Sequence, residues 1–155
     1  MAGVGLLAGC SSGKGSGHPG AVAGPTPDPD LDLVATLTAS KGDLVAAYAA
    51  TTARFPQLAG RLDPLRADHE AHREALAQFG GGASPEPSAS GAGTGAPIAA
   101  ERAGAIAALA AAETAAAGRR IGECDAAHNP DLARLIASIG GCEAAHAAAL
   151  KAPAS

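Results

Sequence analysis

The chain has 155 residues and a hydrophobic content of 47%, but its aromatic content is only 2% and it contains no tryptophan. A single domain of this length can bury a moderate core, and that core must consist of Leu, Ile, Val and Ala. The formal net charge of −4 and the dispersed Lys and Arg residues exclude the electrostatic footprint of a nucleic-acid-binding protein.

The first residues contain a short motif of small and apolar residues that ends in a cysteine. The sequence LAGC at residues 7–10 has the form of a lipobox, a small-residue cleavage site placed directly before a cysteine. The resemblance implies a signal peptide at residues 1–9, a diacylglycerol on Cys10 and a lipid anchor on the extracytoplasmic face of the cell membrane. This signal peptide is truncated, because only nine residues precede Cys10 and none is Lys or Arg, so we expect the true start codon to lie upstream. The alternative is a chance LAGC in a terminus rich in Ala and Gly.

The segment behind the lipobox predicts a tether. Residues 10–30 are rich in Ser, Gly and Pro and have no apolar period, which is typical of a disordered linker. No later segment is expected to span a membrane, because Glu101, Arg102 and Glu113 interrupt the apolar run at residues 98–117. The chain is therefore expected to be anchored to a membrane without spanning it.

Two helices are predicted in the first half of the chain. Apolar residues recur about every three and a half positions over residues 33–55, and a second such stripe continues over residues 56–79. Pro64 interrupts the second stripe. We expect it either to kink the helix or to make Asp63 the N-cap of a helix that begins there.

A long connection and two further helices are predicted in the second half. Residues 80–97 contain Gly, Ser, Ala and Pro without periodicity and are long enough to run the length of a bundle. A third helix is predicted over residues 99–127, and Asn129 is the expected cap of a fourth helix over residues 130–151. The inner stripe of the third helix is predicted to contain Ile106, Leu109, Glu113 and Ile121.

The two halves of the chain resemble each other. Residues 56–76 and 130–150 align without a gap at a shift of 74 positions, which indicates a duplicated helical hairpin with His72 and His146 at the same place. The order of short, long and short connections is that of ferritin-like four-helix bundles. We therefore predict an all-α fold over residues 31–151, a ferritin-like four-helix bundle of two helical hairpins joined by a long crossover.

Ionisable residues stand at positions that the helical spacing otherwise gives to core aliphatics. In the fourth helix, Glu143 and His146 continue an apolar series that begins at Leu132 and advances by 4, 3, 4 and 3 residues. Counted from the turns, the inward ionisable residues of three helices lie at similar heights, so we predict one polar layer at the middle of the bundle. The predicted layer contains His69, His72, Glu113, Glu143 and His146.

One motif in this layer resembles a known metal site. Glu143-x-x-His146 has the form of the Glu-x-x-His motif of the ferritin-like di-iron carboxylate proteins, and Glu113 corresponds to the lone glutamate of their preceding helix. The resemblance implies that these three residues form half of a metal site, and carboxylate with imidazole suits iron, manganese or zinc. The other half departs from the pattern, because His69 stands where a second glutamate is expected and Ala39 is the residue equivalent to Glu113.

This departure leaves two hypotheses open for the layer. The nearest alternatives to Ala39 are Asp43, which lies off the inner stripe, and Tyr48, which lies on it. Either one metal ion is held by some of the five layer residues, or the layer is hydrogen-bonded and contains no metal. Oxidation at an iron centre needs two carboxylate-bridged metals, so an enzyme is the weaker hypothesis and no catalytic residue is assigned.

Cys124 and Cys142 are candidates for a disulfide in an extracytoplasmic protein. Their distances from the turn near Asn129 differ by 8 residues. That is ~12 Å along antiparallel helices, whereas a disulfide needs Cα atoms within ~7 Å, so the spacing argues against the bond.

Residues 31–151 as a whole resemble the ferritin-like domain lipoproteins of high-GC Gram-positive bacteria, and the Ala-rich composition agrees with such a genome. The resemblance implies a membrane-anchored envelope lipoprotein with a degenerate metal-type site that binds a transition metal. The alternative is a structural or interaction lipoprotein with an inert polar layer. The residues point to no particular protein partner.

Overall fold

The computed structural model describes residues 28–80 and 98–153. Within these two ranges the chain forms four α-helices and no strand, which confirms the predicted four-helix bundle of two hairpins. The predicted signal peptide, Cys10 and nearly all of the tether and the crossover lie outside the described residues. None of the described helices is both long and apolar enough to cross a membrane. The helices are α1 (Leu31–Arg54), α2 (Ala59–Ala77), α3 (Arg102–Ala126) and α4 (Pro130–Lys151), and a 3₁₀ helix, Pro56–Leu58, joins α1 to α2.

Contacts at the two ends of the bundle define the directions of the helices. Asp30, just before α1, accepts hydrogen bonds from the backbone N–H of His128 at 2.9 Å and of Asn129 at 2.8 Å, in the turn between α3 and α4. At the other end, Arg61 near the start of α2 donates to backbone carbonyls at the end of α4, at 2.7 to 3.0 Å. Helix α1 therefore runs antiparallel to α3, and α2 runs antiparallel to α4. Consequently α2 ends and α3 begins at opposite ends of the bundle, as the predicted crossover requires.

The join between α1 and α2 decides between the two predictions made for Pro64. Pro56 opens the 3₁₀ turn, and α2 then begins at Ala59 and continues through Pro64. Because Pro64 lies in the second turn of α2, its missing N–H removes one backbone bond, to the carbonyl of Gly60. Asp63 lies inside the helix, so its predicted role as N-cap is wrong.

The start of α4 follows the predicted capping pattern. The side-chain oxygen of Asn129 accepts a hydrogen bond from the backbone N–H of Asp131 at 2.8 Å, and Pro130 occupies the first helical position. The Asp131 carboxylate also lies at the positive end of the helix dipole. This cap sets where α4 begins, and hence which of its side chains face the other helices.

Apolar side chains fill both ends of the bundle, and ionisable side chains fill its middle. Because apolar packing on both sides excludes water, electrostatic interactions in the middle are stronger than at the surface. We call the buried ionisable residues Lys41, His69, Glu113, Arg120, Glu143 and His146 the polar layer. The apolar cluster beside the α3–α4 turn contains Val34, Leu37, Leu76, Leu132, Ile136 and Ile139, and the opposite cluster contains Tyr48, Leu58, Leu62, Leu109, Ala110 and Leu150.

The inner stripe of α3 differs from the prediction at its C-terminal end. Ile121 is 72% exposed, whereas Arg120 is only 2% exposed. Steps of 3 and 4 residues from Glu113 lead to the buried Ala116 and Arg120, and Ile121 lies about 100° further round the helix. The prediction for Ile121 was wrong because it followed hydrophobicity, whereas the helical phase places an arginine inside.

Candidate metal centre

Glu113 of α3 lies at the centre of the polar layer. Its Oε1 atom accepts a hydrogen bond from the Tyr48 hydroxyl at 2.6 Å, and it lies 2.7 Å from His69 Nε2 and 3.3 Å from His146 Nδ1. All four residues are buried, with at most 4% of their surface exposed. Each helix contributes one of them, so the carboxylate is held by all three neighbouring helices.

These contacts keep Glu113 ionised. Burial by itself disfavours the carboxylate, but the hydrogen bonds from His146, His69 and Tyr48 outweigh burial and lower the pKa of Glu113 to about 2. Burial raises the pKa of Tyr48 above its usual value, and the hydrogen bond to Glu113 raises it further. At neutral pH this contact is therefore a phenol that donates to a carboxylate.

Three side chains of the layer are arranged so that they could share a metal ion. His69, Glu113 and His146 each offer one ligand atom, and these atoms all lie within 4.8 Å of one another. Among the described residues, Glu113 Oε2 and His69 Nδ1 are buried without a hydrogen-bond partner. Two imidazoles and one carboxylate form a ligand set that suits iron, manganese or zinc.

Glu143 does not join this group, although its motif predicted that it would. It forms an ion pair with the Lys41 ammonium, and its Oε2 atom accepts a hydrogen bond from Arg120 Nε at 3.0 Å. All three side chains are at most 2% exposed. Two cations therefore already neutralise the carboxylate that the resemblance assigns to a metal.

Lys41 and Arg120 are site residues that the prediction from sequence missed. Burial lowers the pKa of Lys41 to about 8, and the nearby Arg120 cation also lowers it. The sequence does indicate that Lys41 faces inward. The steps from Leu37 through Lys41 and Leu44 to Tyr48 are 4, 3 and 4 residues, the spacing of one helix face. The helical phase alone therefore places a lysine inside the bundle.

His72 lies beside the group rather than in it. Its ring centroid is 6.1 Å from that of His69, and its Nδ1 atom is buried without a partner among the described residues. Burial lowers the pKa of His72 to about 4, and the neighbouring cation of Lys41 lowers it further. His72 is therefore a neutral, half-buried imidazole at neutral pH.

The residues present do not fit two carboxylate-bridged metal ions. Such a centre takes a carboxylate from every helix, whereas α1 supplies Tyr48 and Lys41 to the middle of the bundle and its Asp43 is exposed. The Glu143 carboxylate already forms ion pairs with Lys41 and Arg120. The donor set does fit one ion, because Glu113 retains a free oxygen and stands between two histidines.

Cys124 and Cys142, the cysteines of the described ranges, are both free thiols. Cys124 Sγ donates to the carbonyl of Ala133 at 3.5 Å, whereas Cys142 Sγ lies 3.3 Å from His146 Nε2. That nitrogen also lies 3.1 Å from Asp68 Oδ2, a residue that the prediction from sequence did not single out. The two thiols thus have separate neighbours, on different parts of the bundle.

Comparison with known proteins identifies the fold family. Neither a curated protein nor a solved structure matches the chain. Residues 31–154 match the family described as Ferritin-like domain, a range that includes all four helices and the whole polar layer. The match covers most of the chain, and the chain therefore belongs to the ferritin-like domain family.

Proposed function

We propose that this ferritin-like bundle binds a single transition metal ion through His69, Glu113 and His146, and so sequesters or senses it. The observation that carries the proposal is that one ligand atom from each of these three buried residues, on three different helices, lies within 4.8 Å of the other two. Iron, manganese and zinc are the ions whose ligand preferences agree with this set.

The remaining residues of the layer would support such an ion. Tyr48 holds the Glu113 carboxylate through its 2.6 Å hydrogen bond, and thereby fixes the orientation of the central ligand. Lys41 and Arg120 neutralise Glu143, so no second cation is needed beside the first. A bound ion would supply Lewis acidity or a redox couple, whereas two-metal oxidation would need the bridging carboxylates that this bundle replaces.

Metal analysis of the purified chain tests the proposal. We expect about one ion per chain after loading with manganese(II), which suits carboxylate ligands rather than thiolate, and loss of that ion when His69 is changed to Ala. The matched control is His128→Ala, because His128 has a 69% exposed side chain at a helix end, away from the layer. Equal metal content in the His69→Ala and His128→Ala chains would contradict the proposal.

A second function, a structural bundle with an inert polar layer, is favoured by one observation. Glu113 Oε1 already has three polar neighbours and Glu143 already has two cations, so the layer is balanced without an added ion. On this alternative His69, Glu113 and His146 bind no metal together, and the unfolding temperature is the same with and without manganese(II). The metal-binding proposal requires an increase in that temperature, because an ion that binds only the folded chain stabilises it.

We also propose that the chain is a lipoprotein anchored on the extracytoplasmic face of the membrane. The support is the LAGC sequence at residues 7–10 and the Ser, Gly and Pro-rich segment that follows it. Mass spectrometry of the N-terminal peptide from membrane fractions should show a diacylglycerol on Cys10. Cys10→Ser should move the chain to the soluble fraction, and an unmodified Cys10 in the membrane fraction would contradict the proposal.

A further inference from the structure

His146 has a second polar face that points away from Glu113. Its Nδ1 atom faces the Glu113 carboxylate inside the bundle, while its Nε2 atom lies 3.1 Å from Asp68 Oδ2 and 3.3 Å from Cys142 Sγ. Cys142 and His146 are one turn apart on α4, and Asp68 lies across from them on α2. A thiol, an imidazole and a carboxylate therefore meet between two helices.

The geometry of these three groups is that of a ligand set open on one side. One ligand atom from each of Asp68, Cys142 and His146 lies within 4.8 Å of the other two. The His146 side chain is 5% exposed, whereas that of Asp68 is 54% exposed. An ion held by the three side chains would thus have a buried nitrogen ligand behind it and solvent in front, where water can take the fourth position.

Glu113 orients the histidine toward this outer group. When Nδ1–H donates to the Glu113 carboxylate, the lone pair of Nε2 points to Asp68 and Cys142. A histidine that binds a metal through one nitrogen and donates from the other to a carboxylate is the usual arrangement at zinc sites. The buried carboxylate is therefore placed as a supporting group for an ion outside it.

We propose that Asp68, Cys142 and His146 form a surface site for a thiophilic divalent cation of the zinc type. Thiolate with imidazole and carboxylate selects such ions over calcium or magnesium, which prefer oxygen ligands alone. Binding replaces the S–H bond of Cys142 by a sulfur–metal bond and releases the proton to water. The site uses Nε2 of His146 and keeps the proton of Nδ1 donated to Glu113, whereas an ion held by His69, Glu113 and His146, which we call the inner group, needs the lone pair of Nδ1. The two ions are therefore alternatives at His146, and the outer site does not depend on an ion bound at the inner group.

Cobalt(II) is a suitable probe, because a cobalt–thiolate bond gives a charge-transfer absorption in the near ultraviolet. The reference is the full chain with Cys10→Ser and Cys124→Ser, in which Cys142 is the sole cysteine. We expect the absorption in the reference, its loss when Cys142→Ser is added, and its persistence when His69→Ala is added. Since His69 belongs only to the inner group, the two added changes separate failure of this site from failure of the proposed function. No absorption in the reference, or an unchanged absorption after Cys142→Ser, overturns the proposal.

A second measurement uses the unaltered chain and does not depend on the folding of any variant. Alkylation of each cysteine is followed by mass spectrometry with and without zinc(II). At a zinc concentration about ten times the dissociation constant, alkylation of Cys142 should slow about tenfold, because only unliganded thiol reacts. Cys124, whose thiol donates to the Ala133 carbonyl, is the internal control and should react at the same rate in both samples. An unchanged rate at Cys142 overturns the proposal.

Discussion

Lys41 of α1 and Glu143 of α4 form an ion pair in the interior of the bundle, and neither side chain is exposed to solvent. Arg120 donates to the other oxygen of the same carboxylate, at 3.0 Å, so Glu143 stands between two cations. A carboxylate at this depth must be neutralised, since an unpaired buried charge costs several kcal/mol. Lys41 and Arg120 neutralise the Glu143 carboxylate. In a metal site, a bound metal ion would neutralise it instead.

Removal of Glu143 should be more damaging than removal of Lys41. Glu143→Gln leaves the buried Lys41 without its carboxylate, although Arg120 keeps its pair with Glu123, and loss of one partner of a buried pair costs about 3–5 kcal/mol of unfolding free energy. Lys41→Met should cost less, because Arg120 still neutralises Glu143. Urea unfolding measures both values. The control is Arg134→Met, because Arg134 pairs with Asp131 at the surface and its loss should change stability by less than about 1 kcal/mol. Equal costs for Glu143→Gln and Arg134→Met would contradict the buried pairing.

Two adjacent glycines of α4 should respond to alanine in opposite directions. A Cβ atom at Gly140 would lie 2.9 Å from Arg120 Cβ and 3.1 Å from Arg120 Cγ, so Gly140→Ala must displace Arg120 and weaken its bond to Glu143. Overpacking of this kind costs about 1–3 kcal/mol. A Cβ atom at Gly141 would meet no atom of another helix within 4 Å, so Gly141→Ala should stabilise the helix by about 0.5–1 kcal/mol. Thermal unfolding of both variants checks the signs, and two changes of the same sign would argue against the close approach at Gly140.

Tyr48 should titrate well above the usual pKa of tyrosine, ~10. Burial is the first cause, and the hydrogen bond to the Glu113 carboxylate adds to it. Because Tyr48 is the only tyrosine and the chain has no tryptophan, the tyrosinate absorbance reports on this one residue. The same titration in urea should give the usual value, and Glu113→Gln should lower the value in the folded chain. A folded chain that titrates like the chain in urea would show that the phenol is not buried against Glu113.

His72 should make the folded chain less stable as the pH falls from about 6.5 to about 4. Its pKa is lowered to about 4 in the folded chain, so over this range the unfolded chain binds a proton that the folded chain does not. The stability from neutral His72 is therefore present above the unfolded pKa and is lost as the pH falls toward the folded one. His146 acts in the opposite direction, because its contacts with Glu113 and Asp68 outweigh burial and raise its pKa.

Urea unfolding at several pH values checks the contribution of His72. His72→Gln should flatten the decrease of the unfolding free energy between pH 6.5 and pH 4, the usual and the folded pKa of this residue. His128→Gln is the matched control, because His128 has a 69% exposed side chain. If His72→Gln and the unaltered chain show the same pH dependence, His72 is not held neutral by burial.

The bundle could be predicted from the sequence because its signals are local. Spacing of apolar residues marked four helices, Asn129 and Pro130 marked the start of α4, and the long Gly and Ser-rich segment separated the two hairpins. The inward positions of His69, Glu113 and His146 followed from the same spacing, and the structure brings these three together. The prediction that Ile121 faces inward was wrong, because its hydrophobicity was given more weight than its angular position on α3.

The partners of each buried side chain could not be predicted in the same way. Glu143 was expected beside Glu113 and His146, but it pairs with Lys41 and Arg120. Long basic side chains can reach along a helix by more than one turn, so their charged ends do not lie at the height of their Cα atoms. A prediction based on the heights of Cα atoms therefore gave the layer correctly but not the separate partners of Glu113 and Glu143 within it.

The sequence by itself determined the helices, their order and the faces that turn inward, because these depend on residues a few positions apart in one chain segment. The tertiary structure decided which charges meet: Glu113 with Tyr48, His69 and His146, and Glu143 with Lys41 and Arg120. It also decided that His146 faces Asp68 and Cys142 on its outer side. These contacts join residues of different helices, and their distances depend on the rotation and approach of whole helices, which no local pattern encodes.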